Sequence, residues 1–334
     1  MNIFFIGMGY MGAERLKAAI NLKKRNKLNI LGFYDPNVQK IKINGLFFHS
    51  KKNLNPSFFK NQKIDLCVIS VPHNLTLKYT KVCLENSKKI NLLVEKPLGI
   101  NFSETKKIIN FKTKNQKIFV GLNYRYFDGI SQMLKDIRFK KFGKINSLTI
   151  NFGHGHNPKM KKSWKLSKKY AGGGVITDPG IHVLNLLQLF CTKIKIEYIK
   201  KLRKNFWKTG IEEEILAILS SKEIPIINIS ISILRWRSTF DISGNGIKGY
   251  WRIKGRDRSY GEQEYYTGIR WGWLSGKNQK DTEKKLIQKK NKNVFQDELS
   301  SIIDSLNNKK VKIMPCSDKE ALKTMSLIKS LYEH

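Results

Sequence analysis

The first strand, the glycine loop behind it and the helix that follows constrain this chain more than any other stretch. Asn2-Ile3-Phe4-Phe5-Ile6 is a short, continuously apolar run, as a parallel strand buried on both faces should be. Gly7-Met8-Gly9-Tyr10-Met11-Gly12 follows directly, and an amphipathic stretch from Ala13 to about Leu22 reads as a helix. A Gly-x-Gly-x-x-Gly pattern carries meaning only in this setting. The glycines permit a tight turn, the approach of a pyrophosphate to the backbone, and close packing of helix on strand. The helix start, with Tyr10 and Met11, adds amide donors and the positive end of a dipole. A second strand, Ile30 to Tyr34, ends at Asp35. An acid there can accept from the adenosine ribose hydroxyls and repel a 2′-phosphate, which favours NAD over NADP. Lys40 and Lys42 nearby keep NADP open.

The same unit continues with a third strand at Leu46 to Phe48 and a fourth at Ile64 to Val71, which breaks at Pro72-His73. In a doubly wound sheet ligands lie beyond the carboxyl ends of the strands, so Ser70, Pro72 and His73 are candidates for the nicotinamide half. His73 could equally be an exposed loop histidine. After a helix from about Leu75 to Asn86, the strand Ile90 to Val94 ends in Glu95-Lys96-Pro97. A lysine at a strand end, beside a proline that fixes the backbone, is a candidate base or acid, although most lysines in so lysine-rich a chain are solvated. Ser103 to Thr113 suits a helix and Ile118 to Gly121 a last strand. The spacing therefore predicts a dinucleotide-binding domain over 1–122 and a second domain over 123–334.

The second domain is organised around Gly172-Gly173-Gly174 and Thr177-Asp178-Pro179-Gly180-Ile181-His182. This reads as a loop running into a helix, capped by Thr177 or Asp178, with Pro179 in the first turn. Asp178 and His182, four apart, then share one helical face, where a carboxylate can orient an imidazole for proton transfer. The alternative is a capping aspartate and a satisfied core histidine. Before this segment come a helix at Ile130 to Ile137 and a strand at Ile145 to Phe152, which stops at Gly153-His154-Gly155-His156. Two histidines at that spacing face the same way, but no third ligand cluster accompanies them, so no metal is expected.

Glu213 to Leu219 and Ile226 to Leu234 read as sheet strands. In the second, isoleucines alternate with Asn228, Ser230 and Ser232, giving one apolar face and one small polar face for a twin subunit. Arg256 to Trp273 is dense in Arg, Tyr and Trp, including Arg256, Arg258, Tyr260, Arg270 and Trp271, and suits either a pocket wall or ordinary sheet-edge residues. Lys277 to Asn293 reads as a polar loop, and Phe295 to Leu306 and Lys319 to Tyr332 as amphipathic helices.

Taken together, the N-terminal fingerprint, Asp35-Pro36, Ser70-Val71-Pro72-His73, Glu95-Lys96-Pro97, Gly121-Leu122-Asn123-Tyr124-Arg125-Tyr126 and the glycine-rich Asp178…His182 segment resemble the Gfo/Idh/MocA family of NAD(P)-dependent oxidoreductases. The resemblance spans nearly the whole chain. It implies an α/β fold: a Rossmann doubly wound parallel sheet, then an α+β domain with an open, mainly antiparallel sheet, with the last helix, about 319–332, returning to the Rossmann domain. It further implies that Lys96 is the catalytic lysine, that Asp178 contacts substrate, that His182 is the acid/base, and that the peptide before Pro97 is cis. Asn123, Tyr124 and Arg125 become substrate-side candidates, and Glu95 joins Lys96 near the cofactor. Under the same resemblance His154 and His156 are read as lining a sugar pocket, with Lys161 to Lys169 and Trp164 leading into the glycine loop. Phe240 to Gly244 and Gly249 to Ile253 resemble the family's late strand pair. One departure is Asn185, where an acid commonly follows the histidine.

A formal charge of +37 on 334 residues suggests a polyanion partner, but lysines run from end to end rather than along one element. That is the mark of a chain-wide bias, so specific nucleic-acid binding is not expected. Cys67, Cys83, Cys191 and Cys316 are scattered, as in a reducing compartment, and no apolar run reaches membrane-span length. The expectation is a cytoplasmic homo-oligomer, joined through its C-terminal sheet, that moves a hydride between NAD(P) and a secondary alcohol or ketone of a sugar, sugar derivative or cyclitol. An NAD-using glycosidase relative, a sugar-sensing regulator and a polyanion-binding protein are the other classes weighed. The presence of Lys96 favours an enzyme over a regulator.

Overall fold

Apolar runs without polar alternation become parallel strands because both of their faces are covered. The computed structural model describes residues 1–155, 163–269, 283–289 and 293–334. They form two compact units, residues 1–123 with 293–326 and residues 124–292 with 327–334. In the first unit β1 (Asn2–Ile6) lies between β2 (Asn29–Tyr34) and a later strand, while β3 (Lys40–Ile43) and β4 (Leu46–His49) stand apart. With β5 (Leu66–Ile69), β6 (Asn91–Val94) and β7 (Ile118–Val120), the parallel sheet runs in the order β2-β1-β5-β6-β7. The helices Tyr10–Asn26, Thr76–Asn86 and Phe102–Phe111 connect the strands. Ile3, Phe5, Leu16, Leu22, Phe33, Val68 and Leu93 close one core with Leu299, Ile302 and Ile303 of the later helix Val294–Leu306.

Leu46 to Phe48 does not extend the parallel sheet. It pairs antiparallel with β3 across Asn44-Gly45, both at positive φ (48° and 79°). Asn-Gly at positive φ is the signature of a two-residue hairpin turn, so the expected strand is the second arm of a hairpin, and just past it Ser50 forms a single parallel bridge to Phe33 of β2.

In the second unit β8 (Ile145–Gly153), β9 (Lys195–Arg203), β10 (Glu212–Ser220), β11 (Ile226–Ser232), β12 (Thr239–Gly246), β13 (Gly249–Lys254), β14 (Gln263–Ile269) and β15 (Glu283–Lys289) form one sheet. Its order is β15-β14-β13-β12-β8-β11-β10-β9, and β8 with β11 is the parallel pair in an otherwise antiparallel ladder. The alternation in β11 holds over most of the strand: Ile227, Ile229 and Ile231 are buried and Asn228 and Ser230 half-buried on the other face, but Ser232, expected on that polar face, is buried. The helix Asp128–Arg138 is tied to β14, since Gln263 Oε1 accepts the Gly129 N–H at 2.6 Å and the Tyr265 hydroxyl donates to Asp136 at 2.7 Å.

Two expectations change in this unit. Residues 283–289, read as part of a polar loop, are strand β15, because their charges find partners across the ladder: Lys285 with Glu264 at 2.8 Å, and Glu283 with Arg252 and the Tyr250 hydroxyl. The remainder of that stretch, 277–282 and 290–292, lies outside the described residues. Strand β9, with Lys195, Lys200 and Lys201, was not anticipated; lysines suit its place at the edge of the sheet. The helix Asp318–Glu333 ends the chain, and among the described residues no helix is long and apolar enough to cross a membrane.

Arg15 of the first helix is fully buried, pairs with Glu95 at 2.7 Å and also with Glu298, and those carboxylates hold its guanidinium charged against burial. Arg15→Met would leave buried Glu298 and half-buried Glu95 without the guanidinium, and we expect a loss of about 3–5 kcal/mol. A carboxylate as deeply buried as Glu298 without its cation favours the protonated form in the folded chain, so the variant should lose stability as the pH rises. Urea unfolding at about pH 5 and about pH 8 tests this; an equal deficit at both would count against it.

Candidate functional site

The N-terminal unit gathers its candidates at the carboxyl ends of β1, β2, β5 and β6. Gly7 sits at φ +86°, and a Cβ there would collide with the Ser70 carbonyl; a Cβ on Gly12 would collide with the Gly7 carbonyl. These two glycines let the helix Tyr10–Asn26 press against the strand ends. Gly9 is different. It is the N-cap residue of that helix, and nothing lies within 4 Å of where its Cβ would be. Tyr10 is exposed and Met11 half-buried beside this opening.

Asp35 has a use that sequence reasoning did not find. Its carboxylate accepts the Met8 N–H at 2.7 Å, the Asn37 N–H at 2.8 Å and the Val38 N–H at 3.1 Å. It therefore anchors the glycine loop before any ligand arrives, with one of roughly four acceptor positions left over. Past β5, the Ser70 hydroxyl is buried with no hydrogen-bond partner, and Pro72 leads to the buried His73. Past β6, Glu95 is held by Arg15, and Lys96 precedes a cis bond to Pro97, as expected. An open glycine, a helix start without a side-chain cap and an orphaned hydroxyl at the strand ends fit a dinucleotide. Asn123 closes this unit as a buried residue.

In the second unit the glycine loop is shaped by its neighbours. A Cβ on Gly173 would collide with the Tyr332 hydroxyl, and one on Gly174 with the Glu212 carbonyl. Glu212 Oε1 accepts the Gly174 N–H at 2.9 Å, the Ile176 N–H at 3.2 Å and the Tyr332 hydroxyl at 2.5 Å. Thr177 Oγ1 lies 3.0 Å from that same hydroxyl. Thr177 is thus occupied and does not cap a helix. The helix is Ile181–Leu187, its N-cap residue is Gly180, and Asp178-Pro179 is a cis bond before it. Turn bonds from Asp178 N–H to Gly174 carbonyl (2.8 Å) and from Gly180 N–H to Val175 carbonyl (2.7 Å) take the place of a first helical turn. Asp178 and His182 consequently do not share a helical face, contrary to the spacing argument.

Tertiary contacts supply what the helix does not. Lys165 Nζ reaches Asp178 Oδ2 at 3.2 Å. The buried His182 imidazole lies flat on the Tyr124 ring, with centroids 3.9 Å apart and planes 6° from parallel. Burial pushes the Tyr124 hydroxyl well above its ordinary range; Arg256 pulls it down and the Asp178 charge pushes it further up. Tyr260 is raised in the same way, by burial against the opposing pull of Arg256. Arg125 Nη2 donates to Asn185 Oδ1 at 2.8 Å, both side chains buried, so the residue standing where an acid was expected serves as an internal acceptor.

Of the substrate-side candidates in this unit, Tyr124, Asp178 and His182 form one cluster. His154 lies at the end of β8, where its N–H bonds the Ser232 carbonyl at 3.0 Å, and Trp164 opens the turn Trp164–Leu166 that carries Lys165. His156, Lys161 and the segment Arg270 to Trp273 lie outside the described residues. Sequence reasoning missed Lys165, Glu212 and Tyr332. The adjacent acids Glu212-Glu213 opening a strand in so acid-poor a chain were the available signal. Among the described residues no group of three or more His, Cys, Asp or Glu side chains is arranged to hold a metal.

A parallel dinucleotide-type sheet in one unit, and in the other a mainly antiparallel sheet with an acid in a turn and a histidine on a short helix, are the features of a two-unit nicotinamide-dependent oxidoreductase. The Gfo/Idh/MocA oxidoreductase family with its NAD-binding Rossmann fold matches residues 1–124, and the family's C-terminal domain matches residues 130–251. The chain belongs to this family. Among solved structures it is similar to an aldose-aldose oxidoreductase from Caulobacter crescentus complexed with glycerol, at 16% identity and TM-score 0.76, covering 100% of this chain and 96% of that one. The WlbA dehydrogenase from Bordetella pertussis, in complex with NADH and UDP-GlcNAcA, matches at 15% identity and TM-score 0.76 over 99% of this chain and 95% of that one. A levoglucosan dehydrogenase in complex with NADH and levoglucosan matches at 14% identity and TM-score 0.79 over 100% and 96%.

Burial raises the hydroxyls of Tyr124, Tyr260, Tyr265 and Tyr332. Each holds its proton to a higher pH folded than unfolded, so its contribution to stability is complete below about pH 10 and lost as the pH climbs through the folded value. Tyr332→Phe should cost about 1–3 kcal/mol at neutral pH by removing a donor to buried Glu212. The variant should also lose stability less steeply than the parent above about pH 10. Parallel alkaline slopes in denaturant titrations would contradict this.

Proposed function

We propose that this chain is an NAD(P)-dependent dehydrogenase or reductase that moves a hydride to or from a secondary alcohol carbon of a sugar, a sugar derivative or a cyclitol. The observation that carries the reading is the buried His182 stacked on Tyr124 beside the Lys165-Asp178 pair, in a family member whose other unit is an NAD-binding domain. Similar solved structures bound to levoglucosan and UDP-GlcNAcA support a sugar-type substrate.

The roles divide by unit. Gly7, Gly9, Tyr10, Met11 and Gly12, with Asp35, Ser70, Pro72, His73 and Glu95, are the residues we assign to the dinucleotide, and NAD is favoured by Asp35. When bound, the nicotinamide supplies the hydride acceptor or donor. Lys96 supplies positive charge for the developing alkoxide and a proton-transfer group. His182 takes the hydroxyl proton as hydride leaves the alcohol carbon, and returns it in the reverse direction. Its ring cannot swing freely because it lies flat on Tyr124. The neutral Tyr124 face also favours the imidazolium that forms on proton uptake. Asp178, held by Lys165, is placed to hydrogen-bond substrate and to balance that charge. Asn123, Tyr124, Arg125, His154 and Trp164 complete the proposed substrate set.

Lys96→Ala and His182→Ala should each lower turnover by about 10²- to 10⁴-fold, the usual contribution of one positioned proton-transfer group. The measurement is NADH absorbance during turnover across a panel of sugars and cyclitols, and near-normal rates in both variants would sink the assignment.

We also propose that a second copy covers the open face of the C-terminal sheet. Tyr198, Leu216, Ile218 and Ile226 lie on that face at 47%, 50%, 38% and 50% exposure, a run of apolar area that a monomer seldom leaves in water. Sedimentation should find a dimer or larger assembly at micromolar concentration, and Leu216→Lys with Ile218→Lys should shift it to monomer; a wild-type monomer would refute the idea.

A further inference from the structure

We infer that the substrate carries an anionic group, a carboxylate or a phosphate, and that the Arg256 guanidinium receives it. The inference rests on the functional reading above and narrows its substrate class. Arg256 follows β13 and Gly255, and its guanidinium carbon lies over four aromatic rings: Tyr260 at 4.5 Å, Tyr124 at 4.8 Å, Phe127 at 5.7 Å and Phe152 at 5.9 Å. The side chain is half-buried, and its Nε is buried with no hydrogen-bond partner.

What sets Arg256 apart is the kind of company it keeps. Arg15 pairs with Glu95 and Glu298, Arg252 with Glu283, and Lys165 with Asp178. Among the described residues no carboxylate forms an ion pair with Arg256. The Tyr260 hydroxyl accepts one hydrogen bond from the guanidinium, but ring faces accept none along its edge, and Nε, one of the five N–H groups of a rigid fork, is left without a partner. That fork matches the paired oxygens of a carboxylate or a phosphate, and rings that fix its position reduce the ordering needed when such a group binds.

The location makes this a substrate feature rather than a remote anion site. Tyr124, beneath the Arg256 guanidinium, is the ring on which His182 stacks. An anion held by Arg256 is therefore one aromatic ring away from the proposed acid/base. This suits a sugar whose charged group sits on a different carbon from the one that exchanges hydride. Asp178 would repel such a ligand if its charge stood alone, but Lys165 already offsets it. The plainer alternative is that Arg256 serves only as a packing post for the four rings.

The test is calorimetric titration of the full-length protein, first with NADH and then, at saturating NADH, with D-glucuronate, D-glucose 6-phosphate and D-glucose. At least one anionic sugar should bind about tenfold or more tightly than glucose, and which one does so separates the carboxylate from the phosphate. Arg256→Met should abolish that preference, the charged sugar then binding no more tightly than glucose, while leaving NADH affinity within about twofold. Should the methionine variant fail to fold, Arg256→Lys keeps the charge but not the fork, and should still lose most of the preference. No preference in the parent overturns the inference, as does a variant that weakens charged and neutral sugars alike. Failure to bind NADH at all would instead count against the functional reading.

Discussion

Carboxylates that accept backbone N–H groups, half-buried Asp35 and buried Glu212, hold the two loops on which the rest of this structure depends. The chain has 63 lysines and arginines against 26 acids, so an acid placed inside stands out. Asp35 takes three N–H groups and fastens the glycine loop of the first unit. Glu212 takes those of Gly174 and Ile176 in the second, and neighbouring Glu213 takes those of Phe206, Trp207 and Lys208. A buried N–H left alone is costly, and an ionised acceptor makes a stronger bond than a neutral one. A loop anchored in this way can present functional side chains in one geometry without a regular helix or strand beneath it.

The second unit shows what that anchoring achieves. Asp178 and His182 sit just past the Glu212-bound turn, one before a short buried helix and one within it. Their surroundings then come from distant parts of the chain: Lys165 for the acid, Tyr124 for the imidazole, Arg256 and Tyr260 for Tyr124. The result is a stack of ring, ring and guanidinium in which each member limits the motion of the next. Preorganisation of this sort is what proton transfer and charge stabilisation require of a protein.

The glycines illustrate how one residue type can signal different things. Gly7 and Gly12 are required because strand and helix backbones approach each other, which a strand–loop–helix pattern makes plain in the sequence. Gly173 and Gly174 are required because Tyr332 and Glu212 lie against them. Nothing in the local sequence names those neighbours. The triple glycine was legible as a tight place, and what made it tight was not.

Much of the architecture was readable from residues alone: the parallel strands from their unbroken apolar runs, β11 from its alternating isoleucines, the dinucleotide site from glycines set between strand and helix, and the family from the order of its motifs. Local signals were misread where charge or spacing argued against the outcome, as in the Asn44-Gly45 hairpin, the lysine-rich β15 and the helix that begins only at Ile181. Sequence by itself determined which segments become strands, helices and tight turns, because periodicity and glycine sterics act over a few residues. Only the tertiary structure decided which side chains meet, since Thr177 and Tyr332 are 155 residues apart, Glu212 and Tyr332 are 120 apart, and Tyr124, His182 and Arg256 lie on three separate elements. Such contacts follow from how sheets and helices pack, which no local pattern encodes.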